Sequence, residues 1–292
     1  MTTVATMENA EEPTGAEPGG VVRPTVAKME DAAKDISARH IVPLSGGKDS
    51  TGLAIYLAQR YPDLPFEYVF SDTGAELPET YDYFERLEHV LGRKVTRITA
   101  LDMLGVAEKP GRSPFDVVLY DHFSGYLPSP RSRWCTRMLK IHPFEKHIGS
   151  DRAYSYIGIR ADENRSGYLG NGKPVLLSEQ PNITPVYPFK DDGIVLADVQ
   201  RLLEDSGMGA PAYYEWRSRS GCYFCFYQQI GEWQGLKERH PELFEKAKEY
   251  ETGRNGRRYT WVDGRSLEDV ERMPRRAMKP KSDDDGCAIC HL

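Results

Sequence analysis

"HIVPLSGGKDSTGLAIYLAQRYP", residues 40–62, decides the fold. Ile41-Val42-Pro43-Leu44 is short and apolar, as in a strand of a parallel sheet covered on both faces. Thr51 to Tyr61 reads as a helix with apolar residues at Leu53, Ile55, Tyr56, Leu57 and Ala58, stopped by Pro62. Between them Gly46 and Gly47 remove the Cβ atoms that would block a tight turn or a close ligand. The N–H groups that open the helix have no internal partners and carry positive partial charge. Lys48 adds a full charge, and Ser45 and Ser50 add hydroxyls. The stretch reads as a phosphate cradle.

Working outward, "FEYVFSDTG" (66–74) and "KVTRITAL" (94–101) read as strands two and three, and "RAYSYIGIRADENR" (152–165) as a fourth. "LPETYDYFERLEHVLG" (77–92) puts Tyr81, Phe84, Leu87 and Leu91 on one helical face, and "IVLADVQRLLEDSG" (194–207) is a second amphipathic helix. Strands alternating with helices, with polar residues gathered at strand ends, predict an α/β fold. It is a Rossmann-like, doubly wound, mostly parallel sheet with its site at the carboxyl edge. Residues 1–24 are rich in Glu, Pro, Gly and Thr and read as disordered. Residues 25–213 form the nucleotide-binding domain, opened by a short helix before the first strand. Residues 214–292 form a small, mostly helical, cysteine-bearing segment with a flexible tail.

The chain has 292 residues, 28% of them charged, and a formal net charge of −6, which argues against a generic nucleic-acid coat but leaves room for a local basic patch. No apolar run approaches the roughly 18 residues of a membrane span. The N-terminus lacks a signal-peptide layout. Five cysteines, an odd number, with two C-x-x-C pairs, point to reduced thiols, metal ligands or redox chemistry in the cytoplasm rather than to a disulfide framework.

The spacing in SGGKDS is not the Walker pattern, which places its Lys after a longer loop. It resembles the PP-loop of the ATP pyrophosphatases and adenine-nucleotide alpha-hydrolases, which split ATP between the α- and β-phosphates, usually with Mg²⁺. "SDTGAELPET" (71–80) is similar to a segment of the phosphoadenosine phosphosulfate (PAPS) reductase family. The resemblance implies that Ser45, Gly46, Gly47, Lys48, Asp49 and Ser50 hold ATP. It implies that Asp72, with Thr73 and Gly74 shaping its turn, holds Mg²⁺ or a ribose hydroxyl. Arg160 and Arg165 of "GIRADENRSG" become phosphate ligands. The bland alternatives are a helix cap at Asp72-Thr73 and surface pairing of Arg160 with Asp162 and Glu163. Lys48, Asp49, Asp72 and Arg160 are the candidate catalytic residues. Lys48, read as a loop residue, should be removable with little loss of stability.

Cys135 stands 87 positions before Cys222, and Cys225 follows in "GCYFC". In iron–sulfur sulfonucleotide reductases a tandem pair and a distant C-x-x-C bind a four-iron cluster. Here Trp134 replaces the first of the pair, so only three thiolates match. A 4Fe-4S cluster on Cys135, Cys222 and Cys225, a zinc site completed by a histidine such as His142, and packed unligated thiols all remain open. Cys287 and Cys290 close the chain in a tail loosely similar to the reductases' catalytic segment, where a C-x-x-C can carry and resolve a persulfide.

Lys48 favours ATP over PAPS, because the reductases generally lack it. "RWCTRMLKIHP" is more similar to the DndC/SspD-type proteins of DNA phosphorothioation. That resemblance implies ATP-driven sulfur insertion into a nucleic acid, DNA favoured and tRNA possible, with a cysteine desulfurase as sulfur donor. The alternatives are a PAPS or APS reductase using Cys290 or Cys287, and a nucleotide-binding assembly subunit without turnover. For a nucleic acid the expected groove runs through Arg254, Arg257, Arg258, Tyr259, Trp261, Arg275 and Arg276.

Overall fold

The computed structural model describes residues 26–105, 107–163, 178, 180–252 and 258–278. Its centre is a five-stranded, all-parallel sheet of order β3-β2-β1-β4-β5. The strands are β1 Arg39–Leu44, β2 Phe66–Ser71, β3 Val95–Ile98, β4 Ala153–Tyr156 and β5 Ile183–Val186. Four were expected. β5 reads "ITPV", four residues with a proline and no flanking periodicity, and only the tertiary pairing of Ala153 with Ile183 through Tyr156 with Val186 makes it a strand.

Alternation along the strands builds two cores. Val42, Leu44, Tyr68, Phe70, Tyr156 and Val186 face one way, against Leu53, Leu57, Phe84 and Val199 of the covering helices. Ile41, Val69, Ile98 and Ala153 face the other way, against Phe144 and Ile148 of the helix His142–Ile148. Helices on both faces make the sheet doubly wound, as predicted. The helix Lys48–Arg60 lies so close to the helix Leu196–Asp205 that a Cβ on Gly52 would come within 2.9 Å of Val199.

A third core joins Phe115, Trp134, Phe224, Trp233, Phe244, Tyr250 and Trp261. It carries the C-terminal helices Ile230–Arg239, Pro241–Glu251 and Leu267–Arg272. Among the described residues no helix is long and apolar enough to cross a membrane.

Strand order reverses at β1, with β2 and β3 on one side and β4 and β5 on the other. A crevice outside the carboxyl ends forms at such a switch point. Pro43 sharpens it. β4 pairs with β1 only along Arg39–Ile41, so the proline that cannot donate sits beyond the last β1–β4 pair. The chain leaves β1 into SGGKDS at this opening.

Candidate functional site: a phosphate cradle and a neighbouring thiol

Ser45, Gly46 and Gly47 form the turn, and the helix begins at Lys48 rather than at Thr51. The sequence "KDS" has no apolar residue to signal the first turn, yet it supplies three of the helix's unsatisfied N–H groups. Gly47 is the N-cap and offers no side chain to satisfy them. Gly46 adopts φ +70°, and a Cβ there would approach Thr80 Cγ2 to 2.6 Å. Ser45 and Ser50 are buried and hydrogen-bonded to each other at 3.1 Å, and Ser50 also bonds the Ser45 N–H and the Gly47 carbonyl. The two hydroxyls thus brace the turn.

Lys48 and Arg160 meet at Asp49. Lys48 Nζ lies 3.1 Å from Asp49 Oδ2, and Arg160 Nη1 lies 2.7 Å from Oδ1. Burial works to raise the Asp49 carboxyl, but the two cations outweigh it and hold the group below its ordinary range. Burial also works against the Lys48 charge, and Tyr214 and Asp49 more than offset it, so the lysine stays protonated. Asp49 is therefore a buried clamp between two cations. Arg160 also bonds Asp162 at 3.0 Å, yet it is itself buried, so the surface ion pair describes only one of its contacts. Gly158, just past β4, brings this arm against the cradle: a Cβ there would come within 3.0 Å of the Asp49 carbonyl oxygen.

Sequence reasoning missed the third wall. Tyr213 donates to the Gly46 carbonyl at 2.7 Å, Tyr214 Oη accepts from the Lys48 N–H at 3.4 Å, and Ser220 Oγ donates to Ser45 Oγ at 3.4 Å. Lys48 Nζ sits 5.3 Å from the centre of the Tyr214 ring. The available signal was "YYEWRSRS", an aromatic and basic run with no helical or strand period. The division placed at residue 214 is thus crossed by contacts to the cradle. Gly47→Ala would set a Cβ 2.7 Å from Ser220 Oγ and 3.3 Å from the Tyr214 hydroxyl, forcing this wall away. We expect a loss of about 1–3 kcal/mol in thermal unfolding, partly restored by adding Ser220→Gly.

Asp72, at the end of β2, accepts from the Gly74 N–H at 2.8 Å and from Tyr81 Oη at 2.9 Å. It closes its own turn and does not cap the following helix Pro78–Leu91, whose N-cap position is Leu77, with no side-chain capping bond. Gly74, at φ +67°, has no room for a Cβ beside Pro114 Cδ. Thr73 is buried and donates to Glu76 Oε1 at 2.9 Å.

The three expected metal ligands are half-buried, and Cys135 and Cys222 pack against the third core. Cys222 Sγ lies 3.3 Å from Thr73 Oγ1 and 3.8 Å from Glu76 Oε1. Cys225 turns back onto Cys222 through a 3.1 Å backbone bond. Cys135 has Thr136 Oγ1 at 4.0 Å. Among the described residues no three His, Cys, Asp or Glu side chains come together to hold a metal ion. His142 Nε2 accepts from Arg137 Nε at 3.0 Å. Burial pushes the Cys222 thiol well up, with Glu76 adding to it, and burial raises the Glu76 carboxyl.

Arg165, Arg254, Arg257, Cys287 and Cys290 lie outside the described residues. Of the expected nucleic-acid groove, Trp261 is 3% exposed and donates to the Ala247 carbonyl, so it is a core residue and cannot stack on a base. Tyr259 packs edge-on against Tyr126, and Arg275 is held by Glu238 at 2.8 Å and by the Gly231 carbonyl.

The model of the phosphoadenosine phosphosulfate reductase domain matches residues 39–188, from the first residue of β1 to the turn after β5. The chain belongs to this family. Two uncharacterized proteins of Methanocaldococcus jannaschii are 25% and 27% identical over 77% and 69% of this chain. The chain spans only 44% and 45% of their lengths. An uncharacterized protein of Escherichia phage 186 is 25% identical, covering 74% of this chain and 75% of that one. A PAPS reductase from Candida auris, solved with phosphate, shares 13% identity over 63% of this chain and 81% of its own, with a TM-score of 0.43. The U34-tRNA thiolase NcsA of Methanococcus maripaludis, solved with its [4Fe-4S] cluster, shares 14% over 87% and 90%, with a TM-score of 0.39. Both structures are too distant to bring a substrate or a cluster with them.

Proposed function

We propose that the chain binds ATP on the Ser45–Ser50 cradle, cleaves it to AMP and pyrophosphate, and uses the activation to replace an oxygen by sulfur. The acceptor in this reading is a nucleic acid, as in DNA phosphorothioation, and a cysteine desulfurase supplies the sulfur. One observation carries the nucleotide part: Lys48 stands at a helix N-terminus whose N-cap, Gly47, has no side chain, with Arg160 tied to the same carboxylate, so two cations flank the helix's first turn. Such an arrangement fits a polyanion better than a single sulfate.

The chain's own groups have definable tasks. The N–H groups of the first turn and the Lys48 ammonium bind the phosphate chain and offset charge that grows on the departing pyrophosphate. Asp49 keeps both cations charged and in register. Asp72, at the end of the neighbouring strand, is the carboxylate available for Mg²⁺, which would supply further charge neutralisation on the phosphates. The family name favours the second reading, a sulfonucleotide reductase. Incubation with ATP and with PAPS separates them: pyrophosphate and AMP from ATP support the proposal, and sulfite from PAPS supports the reductase.

A further inference from the structure

We propose that Tyr214 and Ser220 bind the phosphate chain, so that the C-terminal region supplies two of the cradle's ligands as well as its third wall. The inference rests on the nucleotide part of the reading above and names further residues of that same site. Both residues lie outside the segment, residues 39–188, that matches the family model.

The capping geometry carries the argument. An N-cap side chain ordinarily turns an oxygen onto the N–H groups of the helix's first turn. Gly47 has none, yet a Cβ placed on it would lie 2.7 Å from Ser220 Oγ and 3.3 Å from Tyr214 Oη. Two hydroxyls from a distant part of the chain therefore stand where the missing capping group would be. Their hold on the turn is weak. Tyr214 Oη accepts from the Lys48 N–H at 3.4 Å and Ser220 Oγ donates to Ser45 Oγ at 3.4 Å, both beyond the roughly 3.2 Å of a good hydrogen bond. A charged phosphate oxygen is the stronger acceptor for that N–H. Among the described residues Tyr214 Oη only accepts, so its own hydrogen is available to the phosphate that takes its place on Lys48.

Other contacts fix the wall. Tyr213 donates to the Gly46 carbonyl at 2.7 Å, and the Ser218 N–H donates to Glu232 Oε1 at 2.5 Å. The helix Ile230–Arg239 packs so closely that a Cβ on Gly235 would come within 2.9 Å of Trp216 Cε3. Removing one 3.4 Å bond thus leaves the wall standing, and hydroxyls already in position need no reorganisation when phosphate binds. Lys48 Nζ, 5.3 Å from the centre of the Tyr214 ring, sets its charge beside the same phenol.

The test titrates pyrophosphate, and separately non-hydrolysable α,β-methylene ATP, into full-length protein with Mg²⁺ at fixed ionic strength. Wild type, Tyr214→Phe and Ser220→Ala are compared by calorimetry, beside a melting curve of each without ligand. Each variant is expected to bind both probes about tenfold more weakly, the scale of a lost hydrogen bond to a charged group, with its melting midpoint unchanged. Affinity equal to that of wild type in either variant overturns the inference. So does tighter binding by Tyr214→Phe, which would show the hydroxyl merely occupying the Lys48 N–H. Weakening that comes only with a lowered midpoint overturns it as well, since the hydroxyls would then brace the turn and nothing more. Wild type that binds neither probe sinks the nucleotide reading itself, whereas equal binding by wild type and variants sinks this inference alone.

Discussion

Asp49→Ala lowers the unfolding free energy by about 3–5 kcal/mol, the loss expected when one partner of a buried ion pair is removed and the other charge is left behind. Asp49 is 5% and Arg160 8% exposed, so among the described residues Arg160 would keep the carboxylates of Asp162 at 3.0 Å and Glu163 at 3.9 Å, and Lys48 would lose that of Asp49. For a domain of this size the melting midpoint falls by about 10 °C. The pH dependence carries the same signature. The Asp49 carboxyl is held below its ordinary value of 3.8, so its contribution is present in full above that pH and is lost as the pH falls towards the folded value. Asp49→Asn, which cannot titrate, flattens that part of the acid limb. An Asp49→Ala protein that melts with wild type would show that the clamp does not exist.

Lys48→Ala slows ATP cleavage by about a hundredfold, the scale set by removing one preorganised donor from a charge-developing site. Its stability cost is about 1–2 kcal/mol, because the ammonium bonds a buried carboxylate that Arg160 still serves. The sequence, read without its fold, made Lys48 a catalytic loop residue whose removal would cost little stability. Lys48→Arg is no remedy, since the longer, planar guanidinium does not reproduce the compact ammonium's contact with Asp49 Oδ2. The rate is read as pyrophosphate release at saturating ATP, beside a melting curve on the same sample.

Much of this site was legible before any coordinates. The apolar run of β1, the paired glycines and the amphipathic helix after them fix one turn and its charge, and local chemistry alone predicts a phosphate cradle. Strands two to four were legible for the same reason, an apolar run ending in polar residues. β5 was not, because "ITPV" becomes a strand only beside β4. Nor could the sequence show that Tyr213, Tyr214 and Ser220 wall the cradle from about 170 positions away, since that contact is made by the fold. Trp261 shows the opposite error. An arginine-rich neighbourhood suggested a stacking surface, whereas its indole fills the third core beside Phe224 at 5.0 Å. The C-x-x-C spacing suggested a metal, whereas no sequence signal placed Cys222 beside Thr73 and Glu76, where the fold sets it.

The central claim is that the cradle cleaves ATP between its α- and β-phosphates. The most direct measurement is product analysis of α-labelled and γ-labelled ATP with wild type and Lys48→Ala, with Mg²⁺ present and the desulfurase and nucleic acid supplied. The account predicts AMP and pyrophosphate in equal amounts from wild type, with Lys48→Ala slower by about two orders of magnitude. ADP and phosphate as products, or intact ATP beside sulfite from PAPS, would contradict it.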